Sequence, residues 1–527
     1  MPTFKLDDRE IPFEPGETII QAAHRAGIEI PHYCWHPGLS VAANCRMCLV
    51  EVLPPPGRPA LSLAVMSWDE SQGAYVDQKK PKLQPACQQG AADGMEVRAE
   101  TSPHVLRARS SVQELLLLNH PVDCPICDQA GECRLQDYWL EHQSSSKRMR
   151  DEPVHKPKAV SFGPTIVYDA ERCIVCTRCV RFSAEVAKDP VLSVRQRGNL
   201  NEITVAPGRS LDHPYSLMTE YVCPVGALTA KDFRFKARVW FLRSAKTVCQ
   251  GCATGCNAFL DHDPRTGAVY RHRPRENAAV NRYWMCDEGM LDYRRIDERR
   301  ITAAAVSGEA STLGSALDRA AVVLREAPRD RLGVVLSAQH STEDNFALLG
   351  LARDVLGATS FFLGGRPAGQ GDDVLRDADK NPNTRGVREL LGATPLGTMP
   401  ELAAKVAAGA ITELLVLGAD VGELPDASAL SGARVAVAVA SAEGPLLSRP
   451  YVLLPATGYG EADGTYVNRA GLAQHSEEAV PARGDARPAW KLLAGIAARL
   501  GKDLGYRKLT ELRGALGGAA APAGAAE

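Results

Sequence analysis

All fifteen cysteines of this 527-residue chain lie within its first 286 residues, and the 241 residues that follow contain none. They fall into four sets, and one histidine completes the count. The sets are Cys34, Cys45, Cys48, Cys87; then His120, Cys124, Cys127, Cys133; then Cys173, Cys176, Cys179, Cys223; then Cys249, Cys252, Cys256, Cys286. Fifteen thiols and one imidazole are what four iron–sulfur clusters of four ligands each require, with no cysteine left over.

Two other uses of thiols compete with this reading. An odd cysteine count, a large chain and an opening MPTFKLDDRE that does not read as a secretory signal all count against a disulfide framework. Zinc is the stronger rival, because two separated CxxC pairs can close a tetrahedral site. Zinc knuckles, however, usually come in short pairs, whereas here three cysteines bunch and a distant fourth joins them, as in cluster loops. A formal charge of −2 argues against a dedicated nucleic-acid binder. No apolar run approaches the roughly 18 residues that cross a bilayer.

Along the chain, TFKLDDREIPFEPGE alternates as a hairpin would, and Thr18 caps a short helix ending at Gly27. The first ligand loop follows, with ten residues between Cys34 and Cys45 where plant-type ferredoxins have four. The stretch 49–86 reads as an insertion with no identifiable ligand. Ser102 and Pro103 open a helix that reaches Asn119, and His120-Pro121 ends it. His120 is the residue that completes a three-cysteine set, and a neutral imidazole in place of a thiolate should raise the potential of its cluster. The C-x2-C-x2-C of the third set has Cys223-Pro224 far downstream, and spacing alone does not assign Cys223 to it, since such a cysteine can serve another cluster. Arg172, Arg178 and Arg181 either offset cluster charge or are solvated. In the fourth set, Gly251 and Gly255 let backbone amides approach sulfide. Beyond Arg300, RLGVVLSA, a helix-like STEDNFALLGLARDVLG, ATSFFLGG, MPELAAKVAAG, ITELLVLGADV and ARVAVAVASA predict a mostly parallel sheet flanked by helices. No GxGxxG follows its first strand. The stretch 506–527 reads as a disordered tail.

The four ligand sets, in this order, resemble the large iron–sulfur subunit of respiratory complex I, the bacterial NADH-quinone oxidoreductase. The resemblance covers about 300 residues closely. It implies one [2Fe–2S] cluster on Cys34, Cys45, Cys48 and Cys87, and [4Fe–4S] clusters on the other three sets, with Cys223 joining Cys173, Cys176 and Cys179. DADKNPNTRG at 377–386, LPATGYGEADGTYVNRAGLAQ at 454–474 and ARPAW at 486–490 resemble a molybdopterin oxidoreductase domain. With no cysteine after Cys286 to ligate molybdenum, and with the chain stopping before the cap domain of catalytic relatives, no molybdenum is expected. The fold class expected is therefore multidomain, with α+β ferredoxin-like iron–sulfur domains followed by an α/β molybdopterin-oxidoreductase-like domain. Its expected limits are 1–100, 101–141, 142–243, 244–300, 301–505 and the tail 506–527.

What the resemblance implies for function is electron transfer within a proton-translocating NADH:quinone oxidoreductase. Electrons would come from NADH-reduced flavin on a partner subunit, with no complete active site on this chain. The His120 and Cys173 sets would lie on the main path, the [2Fe–2S] site near it and the Cys249 set remote from it. Other subunits of the complex I peripheral arm would be its partners, and membrane contact at the cytoplasmic face of the bacterial inner membrane would be through them alone. The rivals are the large subunit of an NAD-linked formate dehydrogenase, which needs a molybdenum ligand, an iron-only hydrogenase, which needs further cysteines, and a zinc-stapled scaffold.

Overall fold

In the computed structural model, which describes residues 1–55, 57–146 and 148–517, the chain divides into two units, Met1–Trp240 and Phe241–Glu527. In the first, β1 (Thr3–Leu6) and β2 (Arg9–Pro12) form the expected hairpin, Thr3 facing Pro12. α1 (Ile19–Arg25) starts at Thr18, whose N–H donates to Gln21 Oε1 at 2.9 Å in a capping box, and stops before Gly27 at φ 70°. Its buried residues, Ile19, Ile20, Ala22 and Ala23, join a core with Phe4, Leu6, Val50 and Val97. β3 (Leu49–Leu53), β4 (Ser62–Asp69), β5 (Ala74–Pro81), β6 (Gln84–Pro85) and β7 (Glu96–Arg98) follow. The main sheet has order β2-β1-β7-β3-β6, with β1 and β7 parallel. The 49–86 stretch holds a separate ribbon in which β4 pairs with β5, Trp68 facing Tyr75, both exposed.

α2 (Pro103–Leu117) begins with Ser102 Oγ accepting from Val105 N–H, and ends two residues short of the expected Asn119. It packs on α3 (Arg134–His142), where buried Gln113 donates to the Leu135 carbonyl at 2.9 Å. β8 (Val160–Ser161) and β9 (Ile166–Tyr168) precede α4 (Arg178–Glu185). The hairpin of β10 (Leu192–Arg195) with β11 (Glu202–Val205), then α5 (Met218–Tyr221) and β12 (Leu228–Ala230), complete the unit. β12, β9 and β8 form one antiparallel sheet.

The second unit opens with the meander β13 (Arg243–Val248), β14 (Asn257–His262), β15 (Val269–Pro274), and then α6 (Asp287–Leu291). β16 (Ala304–Val306), β17 (Glu309–Ser311), α7 (Leu313–Glu326), β18 (Leu332–Ser337), α8 (Thr342–Leu349), β19 (Ser360–Gly364), α9 (Thr384–Leu391), β20 (Leu396–Gly397), α10 (Met399–Ala407), β21 (Glu413–Leu417), β22 (Arg434–Ala440) and β23 (Val452–Pro455) build the predicted α/β layer. Its eight strands run β17-β16-β23-β22-β21-β18-β19-β20, parallel from β23 to β20, with an antiparallel edge. Residues of α7, α8 and α11 (Ala489–Arg499) share one core with the sheet, and those of α10 share another. Such continuous burial explains the near-unbroken apolar strands LGVVLS and RVAVAVA. β24 (Gly464–Val467) and β25 (Ala473–Ser476) precede α11.

The tail expectation requires correction. Tyr506 is buried, and 509–516 form α12 (Leu509–Leu516), with Leu512 at 0% exposure and Arg513 Nε 2.7 Å from buried Glu343. Apolar and ionic anchors outweigh a Gly- and Ala-rich composition here. Residues 518–527 lie outside the described residues.

Candidate metal centres

One long loop and one strand end deliver the first set. Cys34, Cys45 and Cys48 come from the segment between α1 and β3, and Cys87 follows β6. The Cys34 and Cys45 side chains are hydrogen-bonded to each other, as are those of Cys48 and Cys87. Cys34 and Cys45 also act electrostatically on Cys87, so all four thiols meet. The Cys45 side chain holds the Cys34 thiol down at about 5, while its own thiol and that of Cys48 are pushed well up. Alanine and arginine at positive φ, Ala43 at 52° and Arg46 at 62°, turn this loop tightly enough to aim its cysteines together.

For the second set, α2 ends and places His120 beside a cavity of about 400 Å³ that Cys124, Cys133, Leu117 and Trp139 also line. Cys127 and Cys124 act on the buried Cys133 thiol, pushed up to about 11 chiefly by desolvation. Burial, then Arg172, pull His120 down to about 4, so its ring is neutral. Its Nδ1 is buried with no hydrogen-bond partner among the described residues. A buried, unpaired ring nitrogen is costly, and one sharing a cavity with the Cys124 and Cys133 thiols fits a metal ligand. Arg238 Nη1 donates to the Cys127 carbonyl at 2.6 Å and fixes the loop.

In the third set the fold addresses what spacing left open. Cys173, Cys176 and Cys223 all act on the fully desolvated Cys179 thiol, so Cys223 lies with this group. Burial pushes Cys173 and Cys176 up to about 11 and Cys223 to about 12. Val175 at φ 52° and Thr177 at φ 63° wind the loop, and a β-branched residue at such φ is a strained turn held by its surroundings. Val175 N–H points at Cys173 Sγ at 3.4 Å.

In the second unit Cys249 leaves β13, Cys256 enters β14 and Cys286 caps α6. Cys256, Cys286 and Cys252 all act on Cys249. The Gly251 N–H donates to Cys249 Sγ at 3.3 Å, as expected. Gly255 does something else. At φ 61° it turns the loop, and a Cβ there would meet Gln474 Nε2 at 2.8 Å rather than sulfur. The glycine missed in sequence is Gly289, whose N–H donates to Cys286 Sγ at 3.3 Å and whose Cβ position lies 3.0 Å from Cys249 Sγ. Gly226 was also missed, and a Cβ there would stand 2.4 Å from Cys127 Sγ.

Each group therefore brings its thiols together, all of them buried or half-buried except the exposed Cys124, and in the second and fourth groups a glycine leaves room beside the sulfur. Among the described residues no three Cys, His, Asp or Glu converge on a point where a single ion would sit.

Family models match four segments, of which the first three contain the first three groups in order and the fourth lies beyond the Cys249 group. They are a 2Fe-2S iron-sulfur cluster binding domain at 1–102, the NADH-ubiquinone oxidoreductase-G iron-sulfur binding region at 109–148, the ferredoxin-like domain of NADH-quinone oxidoreductase subunit 3 at 163–229, and molybdopterin oxidoreductase at 378–499. The G-lettered NADH-quinone oxidoreductase subunit of Streptomyces coelicolor is 35% identical over 71% of this chain and 43% of its own length. Subunit 3 of the Thermus thermophilus enzyme is 33% identical over 66% of this chain and 46% of its own. The mitochondrial NADH dehydrogenase [ubiquinone] iron-sulfur protein 1 of Solanum tuberosum is 28% identical over 96% and 81%. The chain thus spans about half the length of the bacterial relatives it matches. With the ligand groups, the domain order and these similarities in agreement, the chain belongs to the family of large iron–sulfur subunits of NADH-quinone oxidoreductase.

Proposed function

We propose that this chain is an electron-conducting subunit of an NADH:quinone oxidoreductase, holding one [2Fe–2S] cluster on Cys34, Cys45, Cys48 and Cys87 and three [4Fe–4S] clusters on the sets containing His120, Cys173 and Cys249. The observation that carries this is the gathering of fifteen thiols into four groups, one of them completed by the orphaned Nδ1 of His120. When bound, iron–sulfur clusters supply one-electron transfer with little rearrangement. The protein's own part is to strip water from the sulfur ligands, aim N–H donors at them and hold nearby cations fixed. His120 binds as a neutral donor because burial and Arg172 keep it unprotonated.

In this reading electrons arrive from a flavin-bearing, NADH-oxidising partner subunit and leave toward quinone through other subunits of the peripheral arm. The chain sits at the cytoplasmic face of the bacterial inner membrane, held there by those subunits. No helix among the described residues is long and apolar enough to cross a membrane. The α/β layer of the second unit serves as a scaffold without molybdenum. The domain limits are those set out from the sequence, apart from the ordered α12.

The test is anaerobic purification of the full chain, counts of iron, sulfide, molybdenum and zinc, and low-temperature EPR after reduction. About 14 iron atoms, from one two-iron and three four-iron clusters, support the proposal. Stoichiometric molybdenum would replace it with a formate-dehydrogenase type of enzyme. Zinc without acid-labile sulfide would replace it with a scaffold.

A further inference from the structure

Helix α4 begins inside the third ligand set and carries Arg178 and Arg181 one turn apart. Neither forms an ion pair with a carboxylate among the described residues; the nearby Glu185 is engaged by Ser40 N–H at 2.9 Å. Arg178 donates through Nη2 to the Trp35 carbonyl, next to Cys34, and through Nη1 to the Val222 carbonyl, next to Cys223, at 3.4 Å. Arg181 Nη2 donates to the Cys34 carbonyl at 2.5 Å and to the Cys176 carbonyl at 3.4 Å, and its Nη1 to Ser40. Both side chains therefore bind the backbone of the first set and of the third set at once. The Arg178 Nε is buried without a hydrogen-bond partner among the described residues.

A guanidinium is always charged, and an always-charged group taken out of water needs an anion. For Arg178 the sulfur groups in reach, which are thiolates once they hold a cluster, are Cys176 and Cys223 on one side and Cys34 and Cys45 on the other. Arg181 likewise acts on both Cys34 and Cys176. The cations that sequence left as either charge-compensating or solvated are thus shared between two ligand sets.

We infer that Arg178 and Arg181 are positioning residues that clamp the Cys34 and Cys173 ligand loops together and jointly raise the reduction potential at both sites. Each reduction there adds one electron and no proton, taken in vitro from dithionite, so the reduced site carries one more negative charge facing the pair. A fixed cation favours that state at both sites. Gln at either position removes the charge while keeping hydrogen-bonding capacity, and Lys keeps the charge without the fork.

This inference rests on the proposed cluster content, and the experiment separates the two. Full-length wild type, Arg178→Gln, Arg181→Gln and Arg178→Lys are reduced stepwise with dithionite, with iron and sulfide counted and EPR midpoints read for each signal. The inference expects the [2Fe–2S] and the Cys173-set midpoints to shift together to lower potential in Arg178→Gln, to return toward wild type in Arg178→Lys, and the His120-set and Cys249-set signals to stay in place. Where Arg178→Gln does not retain iron, Arg181→Gln decides by the same criterion. Full iron with unmoved midpoints, or movement of one signal alone, overturns the inference. A wild-type chain without cluster signals overturns the functional proposal instead.

Discussion

Gly226 offers the sharpest separation between what chain order and what the fold predict. It lies three residues after Cys223, so by sequence its replacement should disturb the third ligand set. In the fold its Cβ position is 2.4 Å from the sulfur of Cys127, a ligand of the second set, and 3.0 Å from Gln129 Cβ. Non-bonded heavy atoms rest at about 3.5–4.0 Å, so Gly226→Ala must displace the Cys127 sulfur by about 1 Å or more. The backbone does not oppose the change, since Gly226 is absent from the positive-φ positions. Overpacking of this kind costs about 1–3 kcal/mol, which a chain of this size survives. A ligand moved by that much no longer meets its iron, so the His120 cluster is lost and the other three remain. Iron should fall from about 14 to about 10 atoms per chain, with the Cys173-set EPR signal intact. Gly90→Ala, whose Cβ meets nothing within 4 Å, is the matched control. A fully loaded Gly226→Ala protein, or one that loses the Cys173-set signal instead, would refute the geometry.

Three further outcomes are expected. His120→Ala should remove or alter one [4Fe–4S] EPR signal and leave the rest, whereas His120→Cys should keep the iron and lower that midpoint, because a thiolate adds the negative charge that imidazole spares. Asp261, 1% exposed, accepts from Arg271 Nε at 2.7 Å and Arg273 Nε at 2.6 Å, and although burial opposes its charge, Arg273 foremost holds the carboxyl down at about 2. A depressed carboxyl stabilises the fold above its unfolded value near 4, so about 2 kcal/mol should vanish as pH falls from about 4 through 2, and Asp261→Asn should lack that acid-dependent component in denaturant titrations. Arg513→Ala strips buried Glu343 of the cation 2.7 Å away and should destabilise the second unit by about 3 kcal/mol in chemical denaturation, whereas a disordered tail would give no change.

The α/β layer was legible because buried parallel strands and helix caps are written locally: LGVVLS, then Ser341 accepting from Asp344 N–H, then SFFLG. The grouping of the cysteines was legible because they bunch along the chain, three to a loop with one more at a distance in three of the four sets. Three things were not. Cys223 could be assigned only by resemblance, since spacing does not say which loop a distant cysteine returns to, and the fold brings it to Cys173, Cys176 and Cys179. The tail was misread because composition is blind to two anchors, Leu512 and Arg513, and the carboxylate that holds Arg513 lies over a hundred residues earlier. Gly226 carries no signal in its own neighbourhood, because what excludes a side chain there is sulfur delivered by another loop, and at Gly289 the tightest contact is likewise the distant Cys249 sulfur.

The three sets of the first unit are connected through single side chains. Tyr33, 0% exposed, lies within electrostatic reach of both Cys45 and Cys133, donates to Gln113 and packs edge-on against Tyr138 at 5.3 Å. Arg172, next to Cys173, donates to Asp123 at 2.9 Å, next to Cys124, and acts on Cys127. Arg178 and Arg181 join the first and third sets. Each pair of sets in the first unit therefore has its own bridge. Because the bridges are of two chemical kinds, an aromatic ring on one side and fixed cations on the other two, they are separable by mutation. Tyr33→Phe removes the hydroxyl bonded to Gln113 and leaves the ring, and by this argument it should leave every midpoint in place, whereas the arginine changes should move midpoints in pairs. If Tyr33→Phe shifted potentials as far as Arg178→Gln, charge would not be what distinguishes the bridges, and the electrostatic account of the unit would fail with it.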